Sequence, residues 1–140
     1  MSAKAKVALA ILCGAFIFVV AVAGGYLYWL GQIKAELQES RSAGLAYGKG
    51  VDDNACWQEA LKRQKLAQDY KSSLRNDSFF LACLAAASNP PGFCDGVPRP
   101  LEMIDSATWT TERCAKIELS KSGCQGLLRT LQTYCSEYYK

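Results

Sequence analysis

The hydrophobic pattern divides the chain into one continuous apolar segment and a longer region of helical periodicity. Residues 7–31 contain no charged side chain, and this stretch of about 25 residues would span about 37 Å as a helix. Since the hydrocarbon core of a bilayer is about 30 Å thick, the pattern predicts a transmembrane helix with some tilt. Tyr26, Tyr28 and Trp29 near its end are typical of the aromatic belt at a membrane interface.

A change in composition follows the apolar segment. Residues 32–42 are mostly polar and predict a helical extension out of the membrane. Residues 43–50 are rich in glycine, which loses the most conformational entropy on ordering. This segment is therefore predicted to be a flexible joint, and a compact domain is expected from residue 51 to residue 140.

Helical periodicity in the compact region predicts two hairpins. Apolar residues recur at three- and four-residue steps over residues 54–75, and Asp52 and Asp53 are suitable N-caps for this helix. Asn76 and Asp77 would break the chain before residues 78–88, an alanine-rich stretch expected to form the most buried helix.

The second hairpin follows an irregular loop. All four prolines lie between Pro90 and Pro100, where they exclude both a helix and a central strand. A third helix is expected from a cap at Asp105 or Ser106 to about residue 120, and a last helix over residues 124–139. The predicted fold class is all-α, with a single N-terminal transmembrane helix and a small disulfide-stapled bundle of about four helices.

The cysteines change this picture by indicating a redox compartment. Of the seven, Cys13 lies in the apolar segment and the others lie beyond it. An even number in a small exported domain is typical of a disulfide framework. The alternative is a zinc site, but the chain has no histidine and no C-x-x-C pair to supply closely spaced ligands. The predicted hairpins favour the pairs Cys56–Cys94, Cys83–Cys124 and Cys114–Cys135.

Topology follows from the same reasoning. Disulfides persist outside the reducing cytosol, so the domain is expected in the periplasm or outside the cell. The N-terminal residues 1–6, with Lys4 and Lys6, would be cytoplasmic, which makes the chain a single-pass protein of the inner (cell) membrane. Cleavage after Ala23, at a small-x-small site, is the alternative. A lipoprotein cut before Cys13 is disfavoured because Leu12 precedes it.

Small residues mark one face of the apolar helix. Ala10, Gly14, Ala21 and Gly25 recur at helical spacing, and such residues let a second helix approach closely. The face predicts a helix–helix interface with a partner subunit or with a second copy of this chain. The alternative is that alanine and glycine are simply common in membrane helices.

Few residues could carry chemistry. Without histidine, His-based acid–base catalysis and Cys-His nucleophiles are excluded. Nucleotide-binding and calcium-binding loop motifs are absent too. The net charge is +3, and two of those charges precede the apolar segment, so the domain lacks the basic excess of a nucleic-acid binder. We therefore expect no enzyme activity, no cofactor, no metal and no nucleic-acid partner.

Recognition is the remaining role for the domain. The proline-rich loop is a candidate surface because binding residues concentrate on loops held by a rigid scaffold. Phe93 would supply an apolar contact and Arg99 a forked donor, unless Phe93 plugs the core instead. Tyr139 is a third candidate because tyrosine is enriched at interfaces.

These observations predict a membrane-anchored, non-enzymatic accessory or assembly subunit of a bacterial inner-membrane complex. Its partners would be the lipid bilayer and a protein in or next to the membrane. The alternative is a cleaved, secreted small disulfide-rich binding protein, such as an inhibitor or effector. A third hypothesis, an enzyme or redox protein, would require free reactive thiols.

Overall fold

The computed structural model describes residues 3–137, with side chains from residue 12 onward, and this range is helical without strands. The helices are α1 (Ala3–Gly48), α2 (Asp53–Leu66), α3 (Tyr70–Ala86), α4 (Met103–Ala115) and α5 (Lys121–Glu137). The chain forms two compact units, residues 1–35 and residues 36–140. The predicted fold class, an apolar N-terminal helix and a disulfide-stapled helical bundle, is confirmed.

The first unit is the apolar part of α1. Within the described residues one helix is long and apolar enough to cross a membrane, starting at Leu12 with a mean hydropathy of 1.9. Its large side chains are uncovered, for example Phe16 and Ile17. Its length and composition fit both a membrane span and a signal sequence.

The glycine-rich segment differs from the predicted flexible joint, because α1 stays helical through Gly48. Residues 36–48 pack within the second unit against α3. A Cβ placed on Gly44 would lie 2.3 Å from the carbonyl oxygen of Phe79, and one on Gly48 would lie 2.3 Å from that of Cys83. Glycine is used here because it lets two helix backbones approach closely, and not because the chain must bend.

The first predicted hairpin turns earlier than expected. The break between α2 and α3 lies at residues 67–69 instead of at Asn76–Asp77. Asp69 caps α3, since its side chain accepts a hydrogen bond from the Ser72 backbone N–H at 2.6 Å. The Ser72 hydroxyl in turn accepts a hydrogen bond from the Asp69 backbone N–H, which completes a capping box. Asp52 caps α2 as predicted, by accepting from the Ala55 N–H at 2.8 Å.

Asn76 lies inside α3, where it joins two helices. Its side-chain amide donates to the carbonyl oxygen of Ala60 at 2.9 Å and to Gln64 Oε1 at 2.8 Å. Asn76 and Gln64 are both buried. These tertiary hydrogen bonds outweigh the local preference of asparagine for caps and turns.

The core of the second unit forms mainly where α3 packs on α5. Phe79, Phe80 and Leu84 of α3 are fully buried, as are Leu127 and Leu128 of α5. The apolar stretch over residues 78–88 does supply buried core residues, but the helix that contains it runs from Tyr70 to Ala86, and α5 buries at least as many residues. In α4, by contrast, no residue is fully buried.

All six cysteines beyond α1 form disulfides, but the predicted pairing is wrong at every bridge. Because α2 and α3 turn at residues 67–69, Cys56 lies opposite Cys83 instead of Cys94. Cys114 lies in the last turn of α4 and Cys124 in the first turn of α5, so the bridge joins the two cysteines nearest the turn of that hairpin. The observed pairs are Cys56–Cys83, Cys94–Cys135 and Cys114–Cys124. Because all six cysteines are in disulfides, none of them is a zinc ligand.

The last two helices also begin earlier than predicted. α4 starts at Met103 without a side-chain cap, and Ser106 instead accepts a hydrogen bond from Gln132 at 2.8 Å. α5 starts at Lys121 instead of at residue 124, and Gly123 is buried in its first turn. A Cβ there would lie 2.5 Å from Gln64 Nε2, so this glycine also serves close packing.

Candidate functional site

The proline-rich loop connects α3 to α4 and is held at its centre. Gly92 and Gly96 have φ values of 87° and 72°, a region that glycine adopts without steric cost. The disulfide Cys94–Cys135 fixes this part of the loop to the end of α5. The loop therefore has a defined conformation and is held on a rigid support.

The structure separates the two loop residues that the sequence singled out. Phe93 is half-buried against the core, with its ring edge on Tyr134 and 6.4 Å between centroids. Arg99 is exposed, and its backbone N–H donates a hydrogen bond to Glu102 Oε2 at 3.1 Å. Phe93 and Arg99 line different cavities, and their role as partner contacts stays a prediction.

The remaining predicted contacts are only partly described. Tyr139 lies outside the described residues, as does the side chain of Ala10. Gly14 and Gly25 have no atom within 4 Å of an added Cβ, and Ala21 is exposed. The small-residue face is thus not covered by the described part of this chain, and its role as a helix–helix interface stays a prediction.

A buried polar cluster lies behind the loop. The Tyr134 hydroxyl lies 3.0 Å from Asn89 Oδ1 and 3.4 Å from Asp53 Oδ2. Burial raises the pKa of Asp53 to about 6, although the hydrogen bond from Tyr134 acts to lower it. When Asp53 is protonated it can donate to the Tyr134 oxygen while Tyr134 donates to Asn89. The cluster thereby links α2, the loop and α5.

The loop also borders an aromatic groove of about 350 Å³. Its walls carry Trp57 from α2, Phe93 from the loop and Trp109 from α4. The Arg113 guanidinium lies over the Trp109 ring, 5.5 Å from its centroid. Sequence analysis missed this site because the two tryptophans come from separate helices, and only the four-residue step between Trp109 and Arg113 is visible in the sequence.

An apolar surface cluster follows the loop. Leu101, Met103 and Ile104 are 92%, 79% and 81% exposed. We refer to these three residues as the apolar trio. Single exposed apolar residues are ordinary, whereas large contiguous apolar patches mark interaction sites, and these three large side chains lie within four residues of one another in the sequence. The sequence pattern did not reveal the trio, because the tertiary packing decides which apolar residues are covered.

A second cleft, of about 430 Å³, lies between the start of α3 and the start of α5. Asp77 and Gly126 line it, and an added Cβ on Gly126 would lie 3.2 Å from Asp77 Oδ2. Burial raises the pKa of Asp77 to about 6. Its Oδ1 atom is buried and has no hydrogen-bond partner among the described residues, so the ionised form is poorly compensated.

Comparison of the chain with protein-family models, curated proteins and solved structures finds no match.

Proposed function

We propose that this chain is a membrane-anchored accessory or assembly subunit whose helical domain docks on a protein partner outside the cytoplasm. Residues 7–31 would anchor it in a bacterial inner membrane, with Lys4 and Lys6 on the cytoplasmic side. The disulfides support an oxidising compartment for the domain. The subunit would act by binding, without catalysis.

The apolar trio is the observation that carries this proposal. Each of its side chains is at least 79% exposed, whereas the leucines of α5 are buried. Covering such side chains fully is worth about 1.5–3 kcal/mol each. The trio therefore supplies the driving force for association at a defined place on the domain.

A protein is a better occupant for the trio than a lipid surface. Glu102 lies between Leu101 and Met103, Asp105 follows Ile104, and both acidic residues are exposed. Helices that lie in a membrane interface instead typically carry lysine and arginine on their polar face. Acidic neighbours suit a partner protein with donors or basic residues around an apolar patch.

Co-purification from membranes in mild detergent tests the proposal. The wild-type chain should bring down a defined partner protein, and the combined substitutions Leu101→Gln, Met103→Gln and Ile104→Gln should abolish its recovery. Leu66→Gln is a matched control, because Leu66 is exposed at the end of α2 and lies outside the trio. A monomeric wild-type chain, or equal recovery with the triple variant, would contradict the proposal.

The secreted binding protein remains the second candidate. Residues 36–140 form a compact unit with their own core and disulfides, which is what a domain released from its leader requires. Cleavage after Ala23 would leave this unit intact. An N-terminus at Gly24 in the mature protein would favour this function over the anchored subunit.

A further inference from the structure

The aromatic groove is built from four elements that the fold holds together, namely α2, the proline-rich loop, α4 and α5. Trp57 packs on Phe80 of the core, with ring centroids 5.7 Å apart. Phe93 is fixed by its contact with Tyr134 and by the neighbouring disulfide of Cys94. The walls are therefore preorganised, which lowers the entropic cost of binding.

The charged side chain that lines the groove is the Arg113 guanidinium, which has no acceptor function. The Asn54 amide, which also lines the groove, can both donate and accept. Trp109 Nε1 is buried without a hydrogen-bond partner among the described residues, so Trp109 contributes its ring and not its N–H. No aspartate or glutamate lines the groove there. Its electrostatics thus favour a ligand with a carboxylate next to an apolar body.

The dimensions of the groove favour a peptide segment. A volume of about 350 Å³ is at the small end for ligand sites. Arg113 and Asn54 are exposed at its mouth, whereas an acyl chain needs an enclosed cavity along most of its length. Tryptophan and arginine are also the residue types that dominate protein-interface energetics.

We propose that the aromatic groove binds a short peptide segment of a protein partner in which an apolar side chain adjoins a carboxylate. The apolar side chain lies against Trp57, Phe93 and Trp109, and the carboxylate lies next to the Arg113 guanidinium. This inference rests on the proposed function only in taking the occupant to be a protein, and it concerns residues outside the apolar trio.

A pair of peptides tests the charge requirement directly. Acetyl-Pro-Leu is titrated into the full-length chain in detergent, once as the free acid and once as the carboxamide. Binding is monitored by tryptophan fluorescence. The Trp29→Phe substitution removes the signal from the apolar helix and leaves Trp57 and Trp109. Because charge-assisted hydrogen bonds are the stronger class, the free acid should bind about five- to tenfold more tightly.

Substitution of the arginine gives the second arm. Arg113→Gln should bring the two affinities to within about twofold of each other, while Arg113→Lys should keep part of the difference. Arg129→Gln is the matched control, since Arg129 is exposed on α5 and does not line the groove. It should retain the full preference for the free acid.

The outcomes separate this inference from the proposed function. Equal affinities in the wild-type chain, or a preference that survives Arg113→Gln, would overturn the inference. Binding of dodecanoate without binding of either peptide would overturn it in favour of an acyl ligand. In each of these cases recovery of a partner through the apolar trio could still be observed, so the two claims fail independently.

Discussion

Gly44 lies so close to α3 that a methyl group on it would sit 2.3 Å from the carbonyl oxygen of Phe79. The contact belongs to a row in which α1 and α3 both advance by four residues. Ser40 donates a hydrogen bond to the carbonyl oxygen of Arg75 at 2.9 Å, and Gly48 lies against Cys83. The two segments therefore run in the same direction, with small residues at each crossing point.

Substitution Gly44→Ala should destabilise the domain. Overpacking costs about 1–3 kcal/mol, and a backbone oxygen cannot move aside without shifting its helix. The gain in helix propensity, about 1 kcal/mol, offsets part of this, so we expect a net loss of about 1–2 kcal/mol, towards the upper end because the contact is with backbone. The measurement is denaturant unfolding of the domain, followed by far-UV circular dichroism.

Gly50→Ala is the control for this prediction. An added Cβ at Gly50 has no atom within 4 Å, so its free energy of unfolding should change by less than about 1 kcal/mol. Equal stability of the Gly44→Ala and Gly50→Ala variants would show that residues 43–48 are not close-packed.

The buried amide of Asn76 should also contribute strongly to stability. Asn76→Ala removes two hydrogen bonds and leaves Gln64 and the Ala60 carbonyl without this donor. Since unpaired buried groups cost about 1–3 kcal/mol, we expect a loss of about 2–3 kcal/mol in denaturant unfolding. Asn54→Ala, at an exposed position on α2, should change stability little. An Asn76→Ala variant as stable as Asn54→Ala would place Asn76 at the surface.

The disulfide pairing can be read from the unreduced protein. Trypsin and chymotrypsin together cut between Cys83 and Cys94, after Phe93. Mass spectrometry should then find Cys56 joined to Cys83, as in the structure. A fragment joining Cys56 to Cys94 would contradict the turn at residues 67–69.

The bridges should differ in their contribution to stability. Cys94–Cys135 spans 41 residues and Cys114–Cys124 spans 10. Chain-entropy arguments give about 4 kcal/mol for the longer loop and about 3 kcal/mol for the shorter one. Replacing both cysteines of a pair by serine should therefore be more costly for Cys94–Cys135. The reverse order in chemical unfolding would mean that the proline-rich loop does not need this bridge.

Stability should depend on pH through the acids with raised pKa values. Burial raises the pKa of Asp77 from 3.8 to about 6, so folding favours its protonated form. Its contribution is fully present below pH 3.8 and is lost as the pH rises through about 6. Asp53, whose pKa is also raised to about 6, acts in the same direction.

Asp77→Asn should remove part of this decline. The loss of stability of the wild-type domain between pH 4 and pH 7 should shrink by an amount on the order of 2 kcal/mol. Asp69→Asn provides a contrast, because hydrogen bonds from the Ser72 side chain and backbone lower the pKa of Asp69. Its contribution is present at neutral pH and is lost on acidification. An unchanged pH profile for Asp77→Asn would mean that Asp77 is solvated.

Local signals predicted some elements and tertiary contacts decided others. The proline-rich loop and the buried C-terminal half of α3 follow from composition, because proline excludes helix and apolar side chains favour the core. The turn could not be placed, because Asn76 has the local preference of a cap and is held in a helix by Ala60 and Gln64.

The candidate sites show the same division. The loop was recognised from its prolines, but the aromatic groove needs Trp57 and Trp109 on separate helices to line one cavity. Glycine in residues 43–50 indicated flexibility, whereas the structure uses Gly44 and Gly48 for close packing. Glycine serves both purposes, and the sequence pattern does not distinguish them. The disulfide pairing followed the misplaced turn and was wrong for that reason.

The most direct test of the account is the intact mass of the native chain extracted from membranes, measured before and after reduction. The account predicts a membrane-bound chain that retains residues 7–31, with three disulfides whose reduction adds six hydrogens. A mature chain that begins at Gly24, or a mass unchanged by reduction, would contradict it.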